Sequence, residues 1–172
     1  MIMHIRQATE NDAEVIATAE QQTAASQEGL LASRPHEISA EAFRSKITFL
    51  RDNGLCLVLE EKEEILGHLL LERMDLESTN HVVRLTLVVH PGYTGKGYAR
   101  QLLNHAIHWA RQSEDVEKIE LNVRQGNSRA IKLYESLGFE VEGVYRDRIK
   151  VTGGYLDDIA MALFVRGPAA GP

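Results

Sequence analysis

Apolar residues recur at two different spacings along this chain, and the alternation between them marks out its elements. Ile2-Met3-His4-Ile5 reads as a short first strand. Thr9, with Asp12 three residues later, is a capping signal for a helix running to about Gln27. Gly29 to Pro35 interrupts it. Ser39 caps a second helix, in which Phe43, Ile47 and Leu50 repeat at the i, i+4, i+7 spacing of one helical face. Asn53-Gly54 closes that helix. Leu55–Leu59 and Ile65–Leu70 are short apolar runs around a charged turn, Glu60–Glu64, which predicts a hairpin.

The second half has a different order. A fourth strand, Val82–Val89, runs into Pro91-Gly92 and a glycine loop. A long helix then extends from about Gly97 to Gln112, with Ala99, Leu102, Leu103, Ala106 and Ala110 on one face. Ile119–Val123 forms a fifth strand. A short helix from about Ser128 to Leu137 ends at Gly138, the residue type that suits a left-handed position after a helix. Strands near Phe139–Tyr145 and Ile159–Val165 follow, with Gly153-Gly154 as the turn between them. Two helices beside antiparallel strands, then strand–helix–strand–helix, predict a mixed α/β fold.

Length and composition narrow the class. The chain has 172 residues, which suits a single domain over 1–166 with a short tail of 167–172. A fold of this size buries roughly 70% of its unfolded surface and needs no covalent staple. Apolar residues make up 44% and charged residues 26%, the balance of an ordinary soluble protein. No apolar run reaches the ~18 residues of a membrane span, and Met1–Arg6 lacks the apolar core of a signal peptide. The single cysteine, Cys56, cannot pair within the chain and reads as buried packing. A cytoplasmic protein with no membrane partner is therefore expected. With 25 Asp and Glu against 19 Lys and Arg, the net charge of −6 disfavours nucleic acid as a partner. His105 and His108 share a helix face, but no third ligand stands at a metal-site spacing, so no metal is expected.

The chemistry lies in two segments. In Leu87-Val88-Val89-His90-Pro91-Gly92-Tyr93-Thr94-Gly95-Lys96-Gly97-Tyr98-Ala99-Arg100 a strand ends, glycines allow tight backbone turns, and a helix starts at once. Free N–H groups then gather at the positive end of a helix dipole, an arrangement that binds phosphate. It is no P-loop, because Lys96 is followed by Gly97 where Ser or Thr is required. Nor is it a dinucleotide fingerprint, because Arg100 occupies the place of the third glycine. The second segment is Asn127-Ser128-Arg129-Ala130-Ile131-Lys132-Leu133-Tyr134-Glu135-Ser136-Leu137-Gly138-Phe139.

Together, in this order, the two segments resemble the GNAT superfamily of acyl-CoA-dependent N-acyltransferases. The Glu142–Arg146 and Gly154–Asp158 endings are similar to its bacterial small-molecule, amino-acid and polyamine subgroup. The resemblance implies a central, mostly antiparallel twisted sheet with splayed fourth and fifth strands, flanked by about four helices. It implies acetyl-CoA as co-substrate and a small-molecule amine as acceptor. Leu87, Val88 and Val89 would pair with pantetheine, and the Val88 N–H would polarise the thioester carbonyl. Thr94, Gly95, Lys96, Gly97, Tyr98, Ala99 and Arg100 would form the diphosphate cradle. Asn127 and Ala130 would face the cofactor, and Tyr134, a phenol protonated at neutral pH, would serve as general acid. Arg100 and Lys132 reach toward the adenosine 3′-phosphate in this reading.

Gly92 and Thr94 stand where the family often has Gln or Arg, which leaves phosphate binding mainly to the backbone. Asn122 stands where members acting on ribosomal-protein N-termini carry a Glu; an amide takes up no proton near neutral pH, so that substrate is disfavoured. Glu28, Arg34 and His36 fall where the family places its acceptor loop. The general base stays open among Glu120, Glu142, His68, Asp157 and Asp158, each read first as a surface or hairpin residue. A homodimer is the family expectation. Protein acetylation and a CoA-binding sensor without turnover are the competing functions.

Overall fold

Along the chain the elements are β1 (Met3–Gln7), α1 (Ala13–Ser26), α2 (Ala40–Asn53), β2 (Gly54–Glu61), β3 (Glu64–Arg73), β4 (Val82–Val89), α3 (Tyr98–Gln112), β5 (Lys118–Arg124), α4 (Ser128–Ser136), β6 (Glu140–Val151) and β7 (Gly154–Phe164). They come from a computed structural model that describes residues 2–166, so the predicted tail, 167–172, lies outside the described residues. The strands form one seven-stranded sheet in the order β1-β2-β3-β4-β5-β7-β6. Neighbours run antiparallel except β4 and β5, which are parallel. This is the mixed, mostly antiparallel architecture expected.

Local chemistry accounts for the helix starts. Before α1, Thr9 N donates to Asp12 Oδ2 at 2.7 Å, and the chain makes a 3-10 turn over Glu10–Asp12 before becoming α-helical. Asp12 in turn receives Arg6 Nη1 and Nη2 at 2.8 and 3.0 Å. Ser39 Oγ accepts from Ala42 N at 3.1 Å and caps α2, whose Phe43, Ile47 and Leu50 are all buried.

Each face of the sheet carries its own core. Leu55, Leu57, Leu69, Leu71 and Val83 pack with Leu102, Leu103 and Ala106 of α3. Cys56, Val58 and Leu70 pack with Ile16 and Ala17 of α1 and with Phe43, Ile47 and Leu50 of α2. β3 is covered on both sides and is buried from Ile65 to Leu71, which explains its continuous apolar run. Gly67 lets α3 approach closely: a β-carbon there would stand 3.1 Å from Leu102 Cδ1.

Two hairpins differ from expectation. The β2–β3 turn is only Lys62-Glu63, both residues left-handed at φ 52° and 65°, so the strands run on through Glu60, Glu61 and Glu64. The primed turn matches the strand twist and needs no glycine when tertiary packing holds both arms. β6 and β7 are much longer than the predicted strands and meet at Thr152-Gly153. A register shift between Tyr145 and Ile149, with Asp147 at φ 53°, carries pairing through a polar stretch that has no strand-like alternation.

Candidate active site

The pairing of β4 with β5 is confined to Val82–Arg84 against Lys118–Glu120. Beyond Arg84, β4 continues to Val89 while β5 follows β7 as far as Arg124, so the two strands diverge. The gap opens a cleft of about 1270 Å³ between β4, β5, the loop into α3, and α4. Every predicted cofactor residue lines this cleft except Lys96, whose Nζ instead sits 5.6 Å from the centre of the Tyr93 ring.

The β3–β4 ladder corrects the predicted carbonyl donor. His90 N donates to Leu66 O and Met74 N donates to Val82 O, which puts the even-numbered residues of β4 in the hydrogen-bonded pairs. Val88 stands opposite His68 and spends its N–H on that ladder. The N–H groups facing the gap are those of Leu85, Leu87 and Val89. The spacing of a strand's residues gives this alternation but not its phase, which only the pairing sets.

At the other end of β4 the loop backbone is left-handed at Gly92, Gly95 and Gly97, with φ of 93°, 82° and 84°. Gly92 thus has a conformational reason to replace the longer residue of the family pattern. Gly97 caps α3 without any side-chain hydrogen bond, so the first-turn N–H groups of Tyr98, Ala99 and Arg100 have no intrahelical partner. Free N–H groups at a helix's positive end are the kind of arrangement that suits an anion. Three cations, Arg100, Lys132 and Arg129, line the same cleft. Arg129 was not singled out from the sequence, although it lies inside the second motif. Arg100 Nη2 also donates to Ser136 Oγ at 3.0 Å, tying α3 to α4.

Asn127 is the N-cap of α4, its Oδ1 accepting from Ala130 N at 3.3 Å, which leaves its Nδ2 for a ligand. Tyr134, two turns further, is 7% exposed and packs its ring 5.6 Å from that of Phe139. Burial pushes its phenol up to about 12, and among the described residues no hydrogen bond contributes. It lines the cleft as a protonated donor across the physiological range.

Of the candidate bases, Glu120 and Glu142 are tied to Lys118, at 2.9 and 2.7 Å, away from the cleft. Asp158 is buried rather than superficial, paired with Arg124 and accepting from Asn122 Nδ2 at 3.0 Å. Asn122 Oδ1 accepts from Arg84 Nη2 at 3.1 Å, so its amide is held at both ends at the edge of the cleft. Asp157 accepts from Asp147 N and shapes the hairpin bend. His68 is likewise no surface residue. It is completely buried, in contact with Glu20 and His90, because β3 is covered on both faces. Glu20 was missed, yet the sequence carries a signal: it follows Ile16 by four and Ala17 by three, a carboxylate on a helix's apolar face.

The far end of the cleft is walled by Glu20, Thr23 and Gln27 of α1 and its C-cap, Phe43 of α2, and Glu72 of β3. Glu28 and Arg34 do not line it. They pair at 2.6 Å, and Arg34 Nη2 donates to Lys150 O, fastening the α1–α2 loop to the β6–β7 hairpin beside a smaller cavity of about 390 Å³. His36 lines neither cavity. His105 and His108 are exposed, and among the described residues no three His, Cys, Asp or Glu side chains gather as a metal site. Cys56 is buried, which pushes its thiol up to about 12. No helix of the described residues is long and apolar enough to cross a membrane.

A strand-gap cleft with the Gly97-capped start of α3 on one side and a buried tyrosine on the other is the arrangement the two sequence motifs led one to expect. The chain belongs to the acetyltransferase (GNAT) family, whose model matches residues 14–139. It is similar to a spermidine N(1)-acetyltransferase of Vibrio cholerae, 29% identical over 101 residues, covering 59% of this chain and 57% of the relative. It is also similar to the L-amino acid N-acetyltransferase AaaT of Escherichia coli, 30% identical over 99 residues, covering 58% and 61%. The matched stretches thus span about three fifths of these relatives' length. A structure of yncA from Salmonella typhimurium with its cofactor acetyl-CoA superposes with a TM-score of 0.89 at 23% identity, covering 100% of this chain and 99% of that one. That likeness speaks for the fold.

Proposed function

We propose that this chain moves an acetyl group from acetyl-CoA to a primary amine of a small molecule, such as an amino acid or polyamine, by direct attack in a ternary complex. The observation that carries the reading is the cleft itself, lined by free strand N–H groups, a helix start without a side-chain cap and a protonated phenol. The residues fit a CoA-type carrier: left-handed glycines bare the loop backbone, and Arg100, Arg129 and Lys132 stand ready for its phosphates. When bound, acetyl-CoA supplies a thioester carbonyl for the amine and a thiol as leaving group. The N–H groups of Leu87 and Val89 orient that carbonyl and stabilise charge developing on its oxygen. Tyr134 holds the proton for the departing sulfur. The Glu20 carboxylate at the far end offers a cationic acceptor a counter-charge, while Glu72 beside it is already paired with Lys46.

The acceptor end favours a small molecule over a protein terminus, because Asn122, held by Arg84 and Asp158, is an amide with no group that takes up a proton near neutral pH. The two relatives named as spermidine and amino-acid acetyltransferases support the same class. Thiol release from acetyl-CoA across a panel of amino acids, polyamines and peptide N-termini tests the proposal. Release that depends on a small amine is expected. Release only with peptides would overturn the acceptor class, and cofactor binding without release would mark a sensor.

A further inference from the structure

On the α1–α2 side of the sheet, where β4 leaves β5, a row of polar side chains crosses the gap. Leu70 packs with α1 and α2, and its ladder partner is Thr86; two residues along, Glu72 stands opposite Arg84. Residues directly opposite share a face, so Arg84 projects on that side. Leu121 and Val123 belong to the α3 core, which turns Asn122 and Arg124 to the α1–α2 side as well. Arg84 Nη2 donates to Asn122 Oδ1 at 3.1 Å, Asn122 Nδ2 donates to Asp158 Oδ2 at 3.0 Å, and Asp158 closes the row on Arg124. Arg84, Asn122 and Arg124 all line the cleft.

Charge along this row does not close. Arg124 is neutralised by Asp158. Glu72 and Glu120, the register neighbours of Arg84, are held by Lys46 at 3.3 Å and Lys118 at 2.9 Å. Arg73, also on the cleft, turns to Asp115 at 3.8 Å. Arg84 is left exposed, with a neutral amide as its side-chain partner and no carboxylate paired to it among the described residues. The row also lacks an acceptor at its other end: Arg124 Nε is buried without a hydrogen-bond partner, the one such side-chain atom among the described residues. Of the carboxylates on the same part of the cleft, Glu20 and Asp75 have no Lys or Arg partner among the described residues. One open cation and two open carboxylates match a ligand that carries both signs.

The position of Arg84 separates it from the diphosphate cradle. It stands five residues before Val89 on β4, roughly 16 Å along the strand, and the glycine loop lies beyond Val89. Its guanidinium reaches Asn122, which is level with Thr86 in the parallel register that Arg84 and Glu120 begin. That is one residue, about 3.3 Å along the strand, from Leu87, whose N–H faces the gap.

We propose that Arg84 binds a carboxylate of the acceptor, which makes the acceptor an amino acid and not a polyamine. The inference rests on the acetyl-transfer reading above and narrows its substrate. A guanidinium takes a carboxylate through two parallel hydrogen bonds, and Arg84 Nη1 and Nε have no partner among the described residues to compete. An α-amino acid carries its amine and carboxylate on one carbon, which suits the short step from the Arg84 tip to Leu87. A polyamine brings only positive charge past Arg84, and that repulsion selects against it.

Steady-state kinetics on the full chain tests this, with a panel of L-amino acids, the amides of the same amino acids, and spermidine. The wild type is expected to use its best amino acid with a kcat/KM at least tenfold above that of the matching amide and of spermidine. Arg84→Gln, which keeps a donor for Asn122, is expected to raise KM for that amino acid at least tenfold with a much smaller change in kcat, and to narrow the acid-over-amide ratio to about one. Arg84→Lys should restore part of the preference. A wild type that accepts amides or spermidine as well as amino acids would overturn the assignment, and this comparison stands even where a variant misfolds. A folded Arg84→Gln enzyme with an unaltered KM and acid-over-amide ratio would overturn it as well. Wild-type protein inert toward every amine would instead remove the transfer reading itself.

Discussion

Arg129 of α4 lays its guanidinium against the backbone of Gly95: a β-carbon placed on Gly95 would stand 2.7 Å from Arg129 Nη2. The contact joins the β4–α3 half of the cleft to the α4 half at the point where an anion would sit. A side chain on Gly95 would displace the guanidinium and also strain a backbone at φ 82° by about 1–2 kcal/mol. Gly95→Ala is therefore expected to weaken acetyl-CoA binding about tenfold, or ~1.4 kcal/mol. Arg129→Ala should weaken it too, with a loss that shrinks as salt is raised. Calorimetric titration decides, and unchanged affinity in both variants would remove the loop as a diphosphate cradle.

Tyr134 acts through its hydroxyl if it is the general acid. Tyr134→Phe keeps the packing against Phe139 and removes only the proton donor. Turnover should fall well over tenfold, with acetyl-CoA affinity nearly unchanged. Because burial holds the phenol up to about 12, the wild-type rate should show no alkaline decline from this group below about pH 11. Steady-state rates across pH for both proteins provide the check.

The Arg124–Asp158 pair is buried on both sides, and Asp158 also holds Asn122. Removing one charge leaves the other desolvated and alone, at a cost of about 3–5 kcal/mol. Asp158→Asn should lower Tm by roughly 10 °C. Calorimetric melting that shifted by less than a couple of degrees would show the pair to be structurally dispensable.

His90 sets a pH dependence of stability. Its ring is held near 4 by burial, against an ordinary 6.5, so the unfolded chain binds its proton more readily than the folded one. The sign follows: this contribution is present above about pH 6.5 and is lost as pH falls toward 4. Its size is roughly 3 kcal/mol at about 1.4 kcal/mol per unit. Urea midpoints should drop across that window in the wild type and less steeply in His90→Asn. A flat wild-type profile there would contradict a neutral, buried His90.

Acid should act on the first turn by a second route. Burial raises the Asp12 carboxyl, but hydrogen bonds from Arg6 and Thr9 outweigh that and hold it below the ordinary carboxylate range. Its contribution is present above about pH 4 and fades as pH falls further. Asp12→Asn should remove this late acid loss and expose the start of α1 to faster amide exchange, measured by hydrogen–deuterium exchange of residues near Ala13.

Much of this was legible along the chain. The Ser39 cap, the Phe43–Ile47–Leu50 stripe, the strand–glycine–helix run and the Asn127–Tyr134 helix are all local patterns of a few turns of chain, and all appear where the spacing predicts. Three things were not. The Lys62-Glu63 turn has no glycine to announce it, and the polar middle of the β6–β7 hairpin has no alternation to read. Arg129 is one cation among several until its placement against Gly95 gives it a task.

The sequence by itself determined the elements, their order and the two motifs, because helix spacing, capping and glycine conformation are written within a few residues of one another. Tertiary structure alone decided which N–H groups of β4 face the cleft, since the phase of a ladder depends on the partner strand. It also decided that Glu20, His68 and His90 meet, across separations of 48 and 22 residues, where burial leaves each polar atom only its neighbour to bond.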